Sequence, residues 1–364
     1  VIPLFKIHTP VGVGQAIQEV FDSGFITEGE KSDQFERSFG EYIQNRDVAI
    51  VNSCTSALTL AYDMSGVGPG DEVITTPMTC MATNEPIHNA KAKIVWADID
   101  PTTGNIDPAS VEKKITKKTK AIVGVHWSGL PFEIDEINRI AKNHGIRVIE
   151  DAAHALGASY KGQKIGSHSD YVCFSFQAIK HLTTVDGGAI STNLGKEEIE
   201  TLRKIKWFGL DRKFTGQKWS QDITRSGYKF HMNNVNASIG LLQMEKIDGI
   251  VEKHIKNGKF YDREIENVYV KKLRQTPDAE SAYWIYTLVV DSPSHFSKYL
   301  LEKGIASDVV HVRNDRYSVF SDYVSDSLPG CDYFCSRMIN IPVGWWLEEN
   351  QLRYISDVVN QYRP

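Results

Sequence analysis

No stretch of the 364-residue sequence approaches the roughly 18 consecutive apolar residues that a membrane helix needs. Residues 1–15 show no basic stretch followed by a long apolar one, so no secretory signal is expected. Three catalytic signatures are missing: the phosphate-loop Gly-Lys-Ser/Thr, His-Glu-x-x-His and Gly-x-Ser-x-Gly. Nucleotide hydrolysis, zinc-dependent proteolysis and α/β-hydrolase chemistry lose their support with them. Gly12-Val13-Gly14 stands without a strand before it and makes no dinucleotide fingerprint. Cysteine is scarce. The five (Cys54, Cys80, Cys173, Cys331 and Cys335) are odd in number and scattered, which fits reduced thiols in a cytoplasm. Cys331 and Cys335 lie four apart, but no second pair accompanies them and the histidines keep no ligand spacing, so no metal is expected. Neither sign of charge dominates. The 41 Lys and Arg against 46 Asp and Glu leave −5, a balance that does not point to nucleic acid.

What is present is an ordinary globular composition, 41% hydrophobic and 24% charged, which fits neither disorder nor collagen nor coiled coil. Short β-branched runs alternate with amphipathic stretches, the pattern of an α/β fold with a mostly parallel sheet. Strands are expected at 48–52, 72–75, 92–97, 121–126, 147–150 and 171–176. Helices are expected at 56–64, 108–113, 133–144 and 197–205. After about residue 240 the pattern changes: 240–257 reads as one long helix, followed by a strand at 284–290 and a helix near 348–362. At roughly 150 residues per domain the length suits two units. We therefore expect a large domain over 1–245 and a smaller C-terminal α/β domain over 246–364.

Four segments carry candidate chemistry. In Val51-Asn52-Ser53-Cys54-Thr55-Ser56 a strand ends, hydroxyls follow and a helix begins. Free amides and the helix dipole make such a start an anion site, though it also reads as a simple N-cap. In Glu150-Asp151-Ala152-Ala153-His154 two acids stand at a strand's C-terminal end, where open α/β sheets bind ligands. One carboxylate there suits a cationic ring nitrogen; helix capping is the plain alternative. In Ser175-Phe176-Gln177-Ala178-Ile179-Lys180-His181 a buried-looking strand leads to a lysine, and Thr183, Thr184, Gly187 and Gly188 follow. Apolar neighbours would lower that lysine's pKa towards the range of a nucleophile and base, whereas a lone lysine is ordinarily a surface residue. The fourth segment, Gly227-Tyr228-Lys229-Phe230-His231-Met232-Asn233, precedes the long helix. A phosphate cradle, a carboxylate and a buried lysine on successive strand ends are the parts that pyridoxal 5′-phosphate (PLP) needs.

At these segments the chain resembles the DegT/StrS family of nucleotide-sugar aminotransferases, whose architecture is the fold type I PLP-transferase one. The similarity runs from Thr27-Glu28-Gly29 to Asn236 and more loosely to the C-terminus, and residues 68–73 and 97–101 fit family positions. The resemblance implies PLP as cofactor. Lys180 matches the lysine that forms the Schiff base, and Asp151 the acid that pairs with the pyridine nitrogen. Ser175, Thr55 and Ser56 match phosphate ligands. His154 stands where the family often has Gln, near the ring oxygen. Lys229 falls where many members have an Asn that reaches the phosphate from the neighbouring subunit. Cys80 falls where many place an aromatic ring over the cofactor.

The implied reaction moves an amino group from L-glutamate to a nucleotide-linked 4-keto-6-deoxyhexose, in deoxysugar biosynthesis such as that of lipopolysaccharide O-antigen. Lys180-His181-Leu182-Thr183-Thr184 looks like members acting at C4. Thr27, Glu28 and Gly29 resemble a substrate-side loop, and His311, Arg313 and Arg316 are candidates for the sugar nucleotide and its diphosphate. The plain reading of the arginines is a solvated loop. Family members imply a cytoplasmic homodimer with composite active sites. The alternatives are a 3-keto sugar aminotransferase, a PLP-dependent sugar dehydratase, an amino-acid-only aminotransferase and a non-catalytic PLP-binding regulator. The dehydratase pattern has histidine in place of the lysine, and here position 180 is Lys and 181 is His.

Overall fold

In a computed structural model that describes residues 1–323 and 327–364, the β-branched runs become strands of one seven-stranded sheet. These are β1 (Val48–Val51), β2 (Glu72–Thr75), β3 (Lys93–Trp96), β4 (Thr119–Val125) and β5 (Arg147–Asp151). A small ribbon follows, β6 (Ser159–Tyr160) and β7 (Gln163–Lys164), and then β8 (Tyr171–Ser175) and β9 (Gly188–Thr192). The large sheet has the order β1-β9-β8-β5-β4-β2-β3. Only β9 runs against its neighbours in it, so the C-terminal ends of the other strands gather at one edge. β1, β2, β8 and β9 are buried along their whole length, because helices cover both faces of the sheet. One covering layer is built around Phe35, Phe39, Phe174 and Phe176, the other around Leu58, Tyr62, Trp96 and Tyr171.

The helices of this part are α1 (Val13–Asp22), α2 (Glu30–Tyr42), α3 (Cys54–Met64), α4 (Met81–Asn89), α5 (Pro108–Lys114), α6 (Ile134–His144), α7 (Lys196–Ile205) and α8 (Asn234–Met244). α9 (Ile247–Glu264) leads into a second sheet of β10 (Val270–Lys272), β12 (Tyr286–Val290) and β13 (Met338–Ile341), while β11 (Ala279–Glu280) pairs with β6. α10 (Pro293–Glu302), α11 (Pro329–Cys335) and α12 (Glu349–Gln361) complete the chain. A third apolar cluster, with Tyr261, Phe296, Leu300 and Tyr362, holds these C-terminal elements together. The first residues join them: Ile2 N–H donates to Gly304 O at 2.7 Å. Among the described residues no helix is long and apolar enough to cross a membrane.

The expected strands and helices of the first 205 residues are present, with ends shifted by one to two residues. Two expectations beyond them need correction. Residues 240–257 are not one helix, for the chain breaks at Glu245 and Lys246 between α8 and α9. Lys246 N–H turns back to Gln243 O at 3.0 Å, and the fully buried Gln243 side chain is held by His8 at 2.8 Å. Gln243, Ile247, Ile250 and His254 are all buried at near-helical spacing, so the periodicity runs through a break that has neither Gly nor Pro. The second strand is shorter than expected and starts at Tyr286; Trp284 leaves the ladder and turns to the site described next.

Candidate active site

Lys180 sits on a tight loop between β8 and β9. The loop closes on itself: Phe176 N–H donates to Gly187 O at 2.8 Å, and Thr184 N–H to Phe176 O at 2.9 Å. Asn236 of α8 clamps it from outside, donating to Thr184 O and Asp186 O at 2.7 and 2.8 Å. Gly188 is required for close approach. A Cβ there would stand 2.6 Å from the Cys54 nitrogen, so the loop's exit lies against the start of α3. The Lys180 side chain is half-buried and its Nζ lies 3.8 Å from the centre of the Trp284 ring. Burial pushes its pKa down to about 8, with Cys80, Asp151 and Cys54 opposing the shift.

Asp151 ends β5, next to β8, and is 4% exposed. Its Oδ1 accepts from Ala153 N–H at 3.1 Å and its Oδ2 from Thr83 Oγ1 at 2.7 Å. It meets neutral donors, and its charge also helps burial to push the Cys54 and Cys173 thiols up. At the start of α3, Ser53 caps the helix by accepting from Ser56 N–H at 3.1 Å, and Ser56 Oγ donates to Asn52 Oδ1 at 2.6 Å. The first-turn amides of α3 have no partner within the helix and aim out of its N-terminus. Thr55 is exposed there, Ser56 is 6% exposed, and Ser175 at the end of β8 is 8% exposed.

Three rings form a stack beside Lys180. His154 lies parallel to Trp284 with centroids 3.8 Å apart, and parallel to His311 with the two Nε2 atoms 3.4 Å apart. Burial drives the His154 pKa well below the usual range and that of His311 down to about 3, and nearby Lys180 adds to both shifts. Both imidazoles are therefore neutral near pH 7. The Nδ1 of His154 is buried without a partner.

The structure thus brings Lys180, Asp151, His154 and His311 together with the α3 start, from β1, β5, β8 and the chain near 311. Cys80 is exposed at the N-cap of α4 and acts on Lys180 electrostatically. Lys229 is exposed, and its backbone bridges to Trp207. Thr27 is exposed, and Asn234 holds this stretch by donating from its own N–H to Thr27 O at 3.1 Å. A Cβ on Gly29 would meet the same Asn234 at 3.0 Å. Glu28 is committed to cations, 2.7 Å from Lys206 and 2.9 Å from Arg212. Arg316 is exposed. Arg313 is neither on a solvated loop nor free to meet a diphosphate. It is 5% exposed, its Nε and NH2 donate to Asp315 at 2.7 and 2.5 Å, and NH1 bonds Asp332. His181 faces away, with its Nε2 3.0 Å from Ala282 O and its ring against His254.

Sequence reasoning did not find Trp284 or Thr83 as parts of this site. Trp284 looked like the first residue of a strand. Thr83 has no sequence signal, since its partner lies 68 residues away.

The model of the DegT/DnrJ/EryC1/StrS aminotransferase family matches residues 13–360. The spore coat polysaccharide biosynthesis protein SpsC of Bacillus subtilis is 36% identical over 320 residues, covering 84% of this chain and 78% of its own. The UDP-4-amino-4,6-dideoxy-N-acetyl-beta-L-altrosamine transaminase of Campylobacter jejuni is 31% identical over 354 residues, covering 94% of this chain and 93% of its own. The sugar aminotransferase CalS13 from Micromonospora echinospora matches with a TM-score of 0.94 at 34% identity, covering 99% of each chain. A match that spans both sheets and takes in every candidate residue from 27 to 316 means that the chain belongs to the DegT/DnrJ/EryC1/StrS aminotransferase family, with the fold type I architecture.

Proposed function

We propose that this chain is a PLP-dependent aminotransferase that takes the amino group of L-glutamate and delivers it to C4 of a nucleotide-linked 4-keto-6-deoxyhexose. The observation that carries the reading is Lys180, a half-buried amine with its pKa pushed down to about 8, at the strand-end edge that also presents Asp151 and the start of α3. The donor set fits the cofactor. There is an amine for its aldehyde, a carboxylate for its ring nitrogen, and hydroxyls at a helix N-terminus for its phosphate. The unpartnered Nδ1 of His154 adds a polar atom awaiting a ligand. When bound, PLP supplies an electron sink at the carbon that gains or loses the amine.

The chain's own residues do the rest. Lys180 would hold the cofactor through its aldehyde and, when freed by an amino substrate, would serve as the base for the proton on the substrate carbon; with a pKa of about 8, roughly a tenth is free amine at pH 7. Asp151 would accept from the protonated ring nitrogen. Thr55, Ser56 and Ser175 would bind the phosphate with the uncapped first-turn amides of α3, whose dipole favours an anion. His154 offers a flat neutral face beside the ring. Lys229 and Arg316, both exposed, would meet phosphates, whereas Arg313, paired with Asp315 and Asp332, would have to release an acid before it could bind a diphosphate. Position 180 is Lys, and the neighbouring His181 is buried with its Nε2 on Ala282 O, which favours transamination over dehydration. The free thiols suit a cytoplasmic enzyme. A homodimer with shared sites is part of the same proposal, supported by the exposed Phe25 (78%) and Trp219 (84%), apolar surface that a partner copy would cover.

The test starts from the absorbance spectrum of the purified protein. A visible cofactor band that L-glutamate bleaches, and that a 4-keto sugar nucleotide restores, meets the proposal. Restoration by a 3-keto sugar nucleotide alone would move the amination to C3. Failure to take up PLP would end the reading.

A further inference from the structure

Asp151 is not oriented by its strand alone. Thr83, in the first turn of α4 and fully buried, donates to its Oδ2 at 2.7 Å. Thr83 Oγ1 also lies 2.8 Å from Thr79 Oγ1. An ionised carboxylate can only accept, so Thr83 has to donate to it and is left as acceptor towards Thr79. The two hydroxyls thus form a polarised chain directed at one oxygen of Asp151. Tyr62 Oη, donating to Thr83 O at 2.7 Å, fixes the backbone under it.

The other end of the chain is fastened with equal care. Asn314 N–H donates to Pro77 O and its Nδ2 to Thr79 O, both at 2.8 Å. Asn84 Nδ2 donates to Asn314 Oδ1 at 2.8 Å, and Thr75 Oγ1 to Asn84 Oδ1 at 3.0 Å. Thr75, Thr79, Thr83, Asn84 and Asn314 are each no more than 2% exposed. A buried network of this kind rigidifies when every member is satisfied. It reaches from the segment that carries His311 to the acid that ends β5.

We propose that Thr83, backed by Thr79, is a positioning residue that sets the orientation of the Asp151 carboxylate towards the cofactor's ring nitrogen. The proposal rests on the aminotransferase reading above and adds to it a determinant of how firmly the ring is held and kept protonated. With Oδ2 tied to Thr83 and Oδ1 to Ala153 N–H, the carboxylate is held in one orientation, and its remaining lone pairs would meet a ring nitrogen without reorganisation. Both groups that donate to Asp151 are neutral, a hydroxyl and a backbone amide.

The experiment compares Thr83→Val, which removes the hydroxyl at nearly constant shape, with Thr83→Ser, which keeps it. PLP affinity of the apo protein is measured by titration, the bound cofactor's visible band is titrated with pH, and the L-glutamate half-reaction is resolved into its maximal rate and its half-saturating concentration. Thr83→Val is expected to weaken PLP binding about tenfold and to slow the maximal rate about tenfold or more, the size of a lost hydrogen bond to a charged group. The half-saturating concentration of L-glutamate stays near wild type, and Thr83→Ser keeps the apo melting temperature. The band's titration midpoint moves upward, because a less firmly protonated ring withdraws less charge from the lysine-bound nitrogen. Thr83→Ser stays within about twofold of wild type by the same measure. Asp151→Asn is the control. If it impairs PLP binding and Thr83→Val does not, the positioning role is overturned and the aminotransferase reading stands. If Asp151→Asn leaves affinity and band unchanged, the reading itself fails and takes the proposal with it. Equal losses in Thr83→Val and Thr83→Ser, tracking a lowered apo melting temperature, would show Thr83 to be structural only and also overturn the proposal.

Discussion

Lys180 and Lys206 are both enclosed by the elements around the large sheet, and their surroundings differ in kind. Lys206 is 3% exposed; its Nζ lies 2.7 Å from Glu28 and 3.7 Å from Glu36 and donates to Ile50 O at 3.1 Å. Its charge is answered on several sides, and it ties α2, β1 and the chain after α7 together. Lys180 meets an indole face at 3.8 Å, and burial lowers its pKa to about 8. The carboxylates show the same division. Asp315 pairs with Arg313, while Asp151 is met by a hydroxyl and an amide. Ionic pairing makes a structural strut of a charged side chain. Burial without ionic pairing keeps a lysine ready to lose its proton and an acid ready for an external cation.

The largest expected effect separates the two lysines directly. Lys180→Ala removes both the cofactor's attachment and the base, so turnover falls by about a thousandfold or more and the visible PLP band is lost. A Lys180→Ala protein that still transaminates at a comparable rate would erase the contrast. The next effect concerns pH. Only the neutral amine attacks PLP, so capture by the apo protein should rise about tenfold per pH unit and level off near pH 8, rather than near the ordinary lysine value of about 10.4. Stopped-flow absorbance over a pH series reads the plateau, and a rate still climbing at pH 9 would contradict the enclosed site.

The same rule reaches a histidine outside the site. His254 is buried on α9, donates from Nδ1 to Tyr283 O 2.9 Å away, and has its pKa lowered to about 4 by burial. Above the unfolded value of about 6.5 both states are neutral and stability is intact. Below it the unfolded chain takes a proton that the folded one refuses, so stability falls as pH drops from 6.5 to about 4, by about 3 kcal/mol for this group. Urea unfolding at several pH values should show this, and His254→Gln should flatten the slope by about one proton. The smallest effect belongs to the strut. Lys206→Met should lower stability by about 2 kcal/mol, less than a fully orphaned charge because Arg212 remains on Glu28, and should leave the PLP band in place. Thermal melts beside absorbance spectra separate the two readouts, and loss of the band with Lys206→Met would merge two regions that the comparison keeps apart.

Six of the seven strands of the large sheet were legible because each is a short β-branched run bounded by turn residues, whereas β9, which starts at the second glycine of the Gly pair, was not expected; Asp151 and Ser175 were legible as residues at strand ends. Lys180 stood out because an apolar strand leads to it and a Gly pair follows, and the loop's hydrogen bonds explain that spacing. The helix break at Glu245 and Lys246 was not legible, because the apolar repeat passes through it unchanged. α1, α2 and α4 went unread, although Phe35 and Phe39 of α2 pack on Phe176 and α4 carries Thr83. Arg313 has one local partner, Asp315 two residues on, but nothing local announces the second, for Asp332 lies 19 residues on.

By itself the sequence determined the order of chemical parts: hydroxyls before α3, an acid after β5, a lysine after β8. Each of those follows from local periodicity and from the rule that ligands bind at strand C-termini in open α/β sheets. The tertiary structure decided which charges are already answered. That Trp284 lies over Lys180, that Thr83 points at Asp151 and that Asp332 reaches Arg313 depend on contacts between distant segments. No local pattern encodes them, because a side chain's protonation and freedom are set by what the fold packs against it.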